Sequence, residues 1–319
     1  LPHLEDISLD QHTLAEADGR DDAVASTPTS LTRRIGAGVA GAAFLSALGP
    51  IGAALVSGPA AAQTAITDID ILNFALNLEY VEAEFYLRAI SGQGLSASDI
   101  NGVGVTGGVN GGSAVPFASG LFAQYAENIA IDEQQHVRFL RSALGSAAVA
   151  RPLIDLAGGF QGAAVAAGIA TAAAPFNPFA DQVSFFLGAF IFEDVGVTAY
   201  AGAAALIQNK AYLSAAASIL AIEGYHGGLI RTVLGQLGAA AAFDTQAIAN
   251  LRAQLSKANN DQGVIFPNNG FVDIAPADGN GLAFRRTTAQ VVNIVTGGGQ
   301  GKGGFLPNGF AGNITNGVV

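Results

Sequence analysis

The chain has four histidines in 319 residues. His3 and His12 lie in a polar N-terminal stretch, whereas His136 and His226 each stand three places after a glutamate, in "DEQQHVRFLR" (132–141) and "IEGYHGGLIR" (222–231). On a helix, residues three apart project from one face, so Glu133 with His136 and Glu223 with His226 can each offer an oxygen and a nitrogen to one ion. A second internal correspondence picks out two more carboxylates. Glu79 precedes Tyr86 by seven residues, and Glu193 precedes Tyr200 by seven. That is about two helical turns, which puts each tyrosine on its glutamate's face.

The elements that must carry these groups show as apolar stripes of helical period. The first runs Ile69, Leu72, Leu76, Glu79, Ala83, Tyr86, Ile90, with Thr67 and Asp68 as caps. The second carries Phe122, Ile129, Glu133, His136 and Leu140; the third Phe186, Phe190, Glu193, Val197, Tyr200 and Ala204; the fourth Ile219, Glu223, His226, Ile230 and Val233. A Gly/Ser loop at roughly 91–113 joins the first two. A longer stretch, 148–180, follows the second and lets helix three cross the bundle to run parallel to helix two. "FDTQAIANLRAQLSKA" reads as a fifth, peripheral helix capped by Asp244. Beyond 259 the chain is rich in Gly, Asn and Pro, with a short helical candidate over 288–294. Phe266, Phe271, Phe284, Phe305 and Phe310 predict a tail that packs on the bundle or on a neighbour. The expected organisation is all-α: a polar segment over 1–32, an export signal or retained apolar arm over 33–62, a four-helix bundle over 63–240, and a peripheral helix with an irregular Gly/Asn-rich extension over 241–319.

Four glutamates inside apolar stripes are costly without partners, and no Lys or Arg lies in the stripes to pair them. Two divalent cations would balance the four charges. Two single glutamates plus two Glu-x-x-His pairs is the ligand pattern of di-iron and di-manganese carboxylate bundles. Oxygen-rich donors with one imidazole per metal favour Fe or Mn over Cu or a thiolate-type Zn site. Glu82 falls one turn after Glu79, but its counterpart is Gly196, so it is expected to flank the site. Glu84, Asp132 and Asp194 point elsewhere on their helices and are expected to be solvated or to support the ligands. Tyr86 and Tyr200 are candidates for hydrogen-bonding ligand carboxylates or carrying an oxidising equivalent, and equally for ordinary core tyrosines. Gly224, Gly227 and Gly228 surround His226, where each glycine costs roughly 0.5–1 kcal/mol relative to Ala; close helix approach and an opening to the metals both account for them.

"ALNLEYVEAEFY", "DEQQHVRFLR", "FFLGAFIFEDVGVTAY" and "RRTTAQVVNIVTGGGQGKGGFLPNGFAGNI" resemble the ferritin-like superfamily, and within it the desiccation-related ferritin-like proteins, over about residues 64–319. The resemblance implies a ferritin-like four-helix bundle with a long crossover between helices two and three. It implies metal ligands at Glu79, Glu133, His136, Glu193, Glu223 and His226, with no position missing. In that arrangement Glu79 and Glu193 are terminal, Glu133 and Glu223 bridging, and the histidines terminal nitrogen donors. It gives a site more securely than a reaction. The expected function is stress protection through O₂ or peroxide chemistry at two Fe or Mn ions, catalase-like chemistry being the main enzymatic variant. The competing expectation is a structural or assembly-forming scaffold with a vestigial or purely structural metal site.

Composition sets the context. Charged residues make up 12% of the chain against a usual ~25%. The net charge of −11 argues against nucleic acid as a partner and suits a site that attracts cations. Cys, Met and Trp are absent, which excludes disulfides and thiol catalysis. It also removes the most oxidisable side chains, as exposure to peroxide would favour and compositional bias would equally produce. Arg33-Arg34 precedes an uncharged run that ends at Ala60-Ala61-Ala62, resembling a twin-arginine export signal cleaved after Ala62. Residues 35–56 are also long enough to span a bilayer, but Pro50 and the mild, Gly-rich character favour the signal. The expectation is an exported protein, periplasmic, cell-surface or extracellular, homo-oligomeric, and without stable membrane insertion once the signal is removed.

Overall fold

The computed structural model describes residues 66–265 and 270–316. The N-terminal histidines, the expected export signal and Phe266 lie outside the described residues. In chain order the elements are α1 (Asp68–Ser91), a one-turn α2 (Ala97–Ile100), β1 (Val109–Asn110), α3 (Gly120–Leu144), β2 (Ile154–Asp155), α4 (Leu156–Ala167), α5 (Gln182–Ala203), α6 (Lys210–Gln236), α7 (Ala239–Ser256) and α8 (Thr288–Val295). The four long helices α1, α3, α5 and α6 carry the four stripes.

Local chemistry sets where these helices begin. Thr67 and Asp70 form a capping box on α1: the Asp70 carboxylate accepts from the Thr67 backbone N–H at 2.9 Å, and the Thr67 hydroxyl accepts from Asp70 N–H at 3.3 Å. Ser119, Asp181 and Asn209 cap α3, α5 and α6 through side-chain oxygens, each worth about 0.5–2 kcal/mol. The fifth helix starts earlier than its cap signal suggested. Four consecutive alanines extend α7 back to Ala239, so Asp244 lies inside it and Gly238 is the cap.

Side-chain contacts fix the chain directions. Asn73 of α1 reaches the carbonyl of Ala147, just beyond α3, while Tyr80 receives a hydrogen bond from Arg141, so α1 and α3 are antiparallel. Tyr86 meets Glu193 and Tyr200 meets Glu79, which makes α1 and α5 antiparallel. Hence α3 and α5 run parallel, and the chain between them must traverse the bundle. That crossover is partly ordered as α4, a helix the stripes did not reveal, capped by Asp155 accepting from Gly158 N–H at 2.8 Å. A two-residue parallel pairing, Val109 with Ile154 and Asn110 with Asp155, ties it to the first loop.

α5 is long and apolar enough to cross a membrane by length and composition alone, but its residues are mostly buried inside the protein. It is apolar on all sides because α1, α6, α7 and α8 all pack on it. Phe160 of α4 joins Phe85, Phe179, Phe192 and Phe305 in one aromatic cluster. The tail packs on the bundle: Phe305 and Phe310 are buried, Phe310 stacks on Phe74 at 5.1 Å, and Asn77 holds Ala311 through both of its backbone groups. Phe271 remains exposed.

Candidate metal centre

Two i,i+3 pairs and two isolated glutamates, each on a different long helix, converge at the middle of the bundle. Glu79, Glu133 and Glu223 have no exposed surface, Glu193 is 1% exposed, and His136 and His226 are buried. Ligand atoms of Glu79, Glu133, His136 and Glu223 lie within 4.8 Å of one another, and so do those of Glu133, Glu193 and His226. Glu133 belongs to both groups; Glu223 belongs to the first. All six residues singled out by spacing are thus brought together.

Both imidazoles turn Nδ1 toward the carboxylates. His136 Nδ1 lies 3.2 Å from Glu79, 3.5 Å from Glu133 and 3.8 Å from Glu223. His226 Nδ1 lies 3.1 Å from Glu133 and 3.5 Å from Glu193. The outer nitrogen of His226, Nε2, faces Asp132 at 3.3 Å. A carboxylate at Nε2 fixes the proton there and leaves the Nδ1 lone pair for the interior. Asp132 therefore orients a candidate ligand.

The tyrosines act reciprocally across the pseudo-repeat. Tyr86 donates to Glu193, and Tyr200 donates to Glu79. Each hydroxyl occupies one oxygen of an isolated glutamate and leaves the other facing the centre. Burial, followed by the adjacent carboxylates, holds both phenols well above their ordinary pKa, so they remain donors.

What the cluster lacks is a compensating cation. Both oxygens of Glu133, both of Glu223, Oε2 of Glu193 and Nδ1 of His226 are buried without a hydrogen-bond partner. His226 Nδ1 approaches Glu133 at 3.1 Å, close enough for an ion pair when the imidazole is protonated, but without hydrogen-bond geometry. Burial pushes Glu79 up to about 7. Burial alone would lower both imidazoles, but Glu79 and Glu133 raise His136, and Glu193 and Glu133 raise His226, each to about 11. Burial would raise Glu133 too, but the two histidines outweigh it and hold it well below the usual carboxylate range. Without an ion, protons serve as the counter-charge. The oxygen-rich donors and orphaned lone pairs fit a metal.

Two expectations need correction. Glu84 and Asp194 are not solvated. Glu84 is buried against Arg88 and Arg151, and Asp194 lies between Arg231 at 2.8 Å and Arg252 at 2.9 Å. With Arg286, Asp261 and Asp273 these arginines form a buried network that bolts α7 and the tail to α5 and α6. It was missed because its members are far apart in sequence. The glycines around His226 are explained by neither purpose weighed for them: a Cβ on Gly224 would meet nothing within 4 Å, and one on Gly228 would stand an ordinary 3.5 Å from the Ile274 carbonyl. All three line a cavity of about 140 Å³ beside the tail at Ile274, Pro276 and Phe284, and none of the six candidate ligands lines it.

The sequence profile of the ferritin-like domain matches residues 67–236. The chain is 28% identical to the ferritin-like catalase Nec2 of Nesocodon mauritianus over 77% of its length and 84% of that protein. It is 30% identical to the desiccation-related protein PCC13-62 of Craterostigma plantagineum over 72% of its length and 78% of that protein. No solved structure matches. The profile covers α1 through α6, the helices that carry the carboxylates and imidazoles, and the chain therefore belongs to the ferritin-like family, with the desiccation-related proteins among its relatives.

Proposed function

We propose that this protein is an exported di-metal enzyme of Fe or Mn that consumes peroxide, or reduces O₂, in oxidative and desiccation stress. The observation that carries the reading is the convergence of buried, unpartnered donors from four helices on one point without any Lys or Arg. Glu79, His136 and Glu223 would serve one ion and Glu193 and His226 the other, with Glu133 common to both donor groups. When bound, a metal pair would supply reversible electron transfer to an oxidant.

The chain's own residues do the rest. Tyr86 and Tyr200 hold the isolated glutamates in orientation and keep a proton at each outer oxygen. Asp132 fixes the tautomer of His226. The apolar packing of α1 and α5 excludes bulk water, and the slot beside Glu82, about 20 Å³, suits a water-sized molecule by the ~10–15 Å³ that one water needs. The catalase relative supports peroxide as substrate, and the desiccation-related relative supports a stress setting.

Metal-loaded protein is expected to consume peroxide, with activity lost on Glu133→Ala. A wild type that holds metal but is inert to both peroxide and O₂ would instead assign the metal a structural role.

A further inference from the structure

Glu82 was set aside in the sequence because its counterpart in the second half of the bundle is Gly196. Glu82 is 5% exposed and makes no hydrogen bond or ion pair with the described residues. The buried carboxylates that lie away from the centre all have cations: Glu84 has Arg88 and Arg151, Asp194 has Arg231 and Arg252, and Asp99 has Arg138. Glu82 Oε1 instead lies against Gly196 on the side where Glu223 Oε2 also lies, outside the two donor groups themselves but within the electrostatic reach of Glu133, Glu79 and Glu193.

Gly196 stands opposite on α5. A Cβ there would overlap the Glu223 carboxylate and come within 3.5 Å of Glu82 Oε1. The glycine thus keeps open the space of the Glu223 carboxylate, with Glu82 in ordinary contact beside it.

We propose that Glu82 supplies an additional carboxylate ligand to the metal centre, on the side lined by Gly196 and Glu223. The proposal rests on reading the cluster as a metal centre. Five carboxylates and two imidazoles then surround the ions, a donor set richer in hard oxygen than the six-residue pattern, and one that favours Fe or Mn further.

The test uses Co(II) as the probe, with binding measured by equilibrium dialysis and coordination by visible absorption, on metal-free wild type, Glu82→Gln and Gly196→Ala. Glu82→Gln is expected to remain folded, to bind Co(II) about tenfold or more weakly, and to show a changed absorption spectrum. Gly196→Ala should weaken binding through Glu223, whose carboxylate its methyl would overlap, and so gives the spectrum expected when a carboxylate on that side is displaced. Wild-type affinity and an unchanged spectrum in Glu82→Gln would overturn the proposal while leaving the metal centre intact. Failure of the wild type to bind Co(II) would overturn both, and so the two failures are distinguishable. If Glu82→Gln does not fold by circular dichroism, Glu82→Asp carries the same comparison: its shortened carboxylate should weaken binding and alter the spectrum, and unchanged values would count against the proposal.

Discussion

At the scale of single residues, the cluster is a set of groups that oppose one another unless a cation joins them. Replacing both His136 and His226 by Ala should therefore abolish metal binding and leave a helical bundle, as followed by metal analysis and circular dichroism. Tyr200→Phe leaves one oxygen of Glu79 without its donor. This should lower the stability of the metal-free protein by about 1–3 kcal/mol in urea unfolding. The pH dependence has a definite sign. Glu79 sits near 7 instead of 4.5, so its protonated form favours the fold, and that contribution is lost as pH rises through 7. The histidines sit near 11 instead of 6.5, so their contribution is full below 6.5 and declines above it toward 11. The metal-free protein should thus melt at progressively lower temperature from pH 5 to pH 9, while metal restores more stability at the higher pH. A melting temperature that climbs over this range without metal would contradict the charge account. The six site residues were legible because each pair or repeat is local in sequence. Arg88, one turn after Glu84, was equally local, but the more distant partners were not legible, because Arg151 is 67 residues from Glu84 and Arg252 is 58 from Asp194.

At the scale of elements, the long helices were readable because each presents a stripe several turns long with an acidic or polar cap. α4 was not, since "LAGGFQGAAVAA" is mostly Gly and Ala and offers only Leu156, Phe160 and Val165 as large apolar residues. What places α4 is Phe160 inserting among Phe85, Phe192 and Phe305, a tertiary effect. The tail belongs to the same cluster. Phe305→Ala should cost about 3–5 kcal/mol in urea unfolding, a loss too large for a tail merely lying on the surface. An effect below about 1 kcal/mol would show that α8 and the tail contribute little to the core. Asp244 illustrates the opposite error: an acidic residue that resembles a cap was overruled by the alanines before it.

At the scale of the whole molecule, the ferritin-like bundle supplies a rigid frame, the crossover and tail close it, and the export signal proposed for residues 33–62 would deliver it already folded. A route that carries folded proteins would let the cytoplasm select the metal before secretion, which matters because neither Fe nor Mn ranks high in intrinsic affinity. Changing Arg33 and Arg34 together to Lys should trap the precursor inside the cell, as followed by fractionation; normal export of this variant would remove the argument for the twin-arginine route. The central claim concerns the ions themselves. Elemental analysis of protein isolated from its native compartment, beside the His136→Ala/His226→Ala variant purified identically, should find about two Fe or Mn per chain in the first and none in the second. A wild type free of transition metal, or a variant that keeps its full complement, would contradict the account.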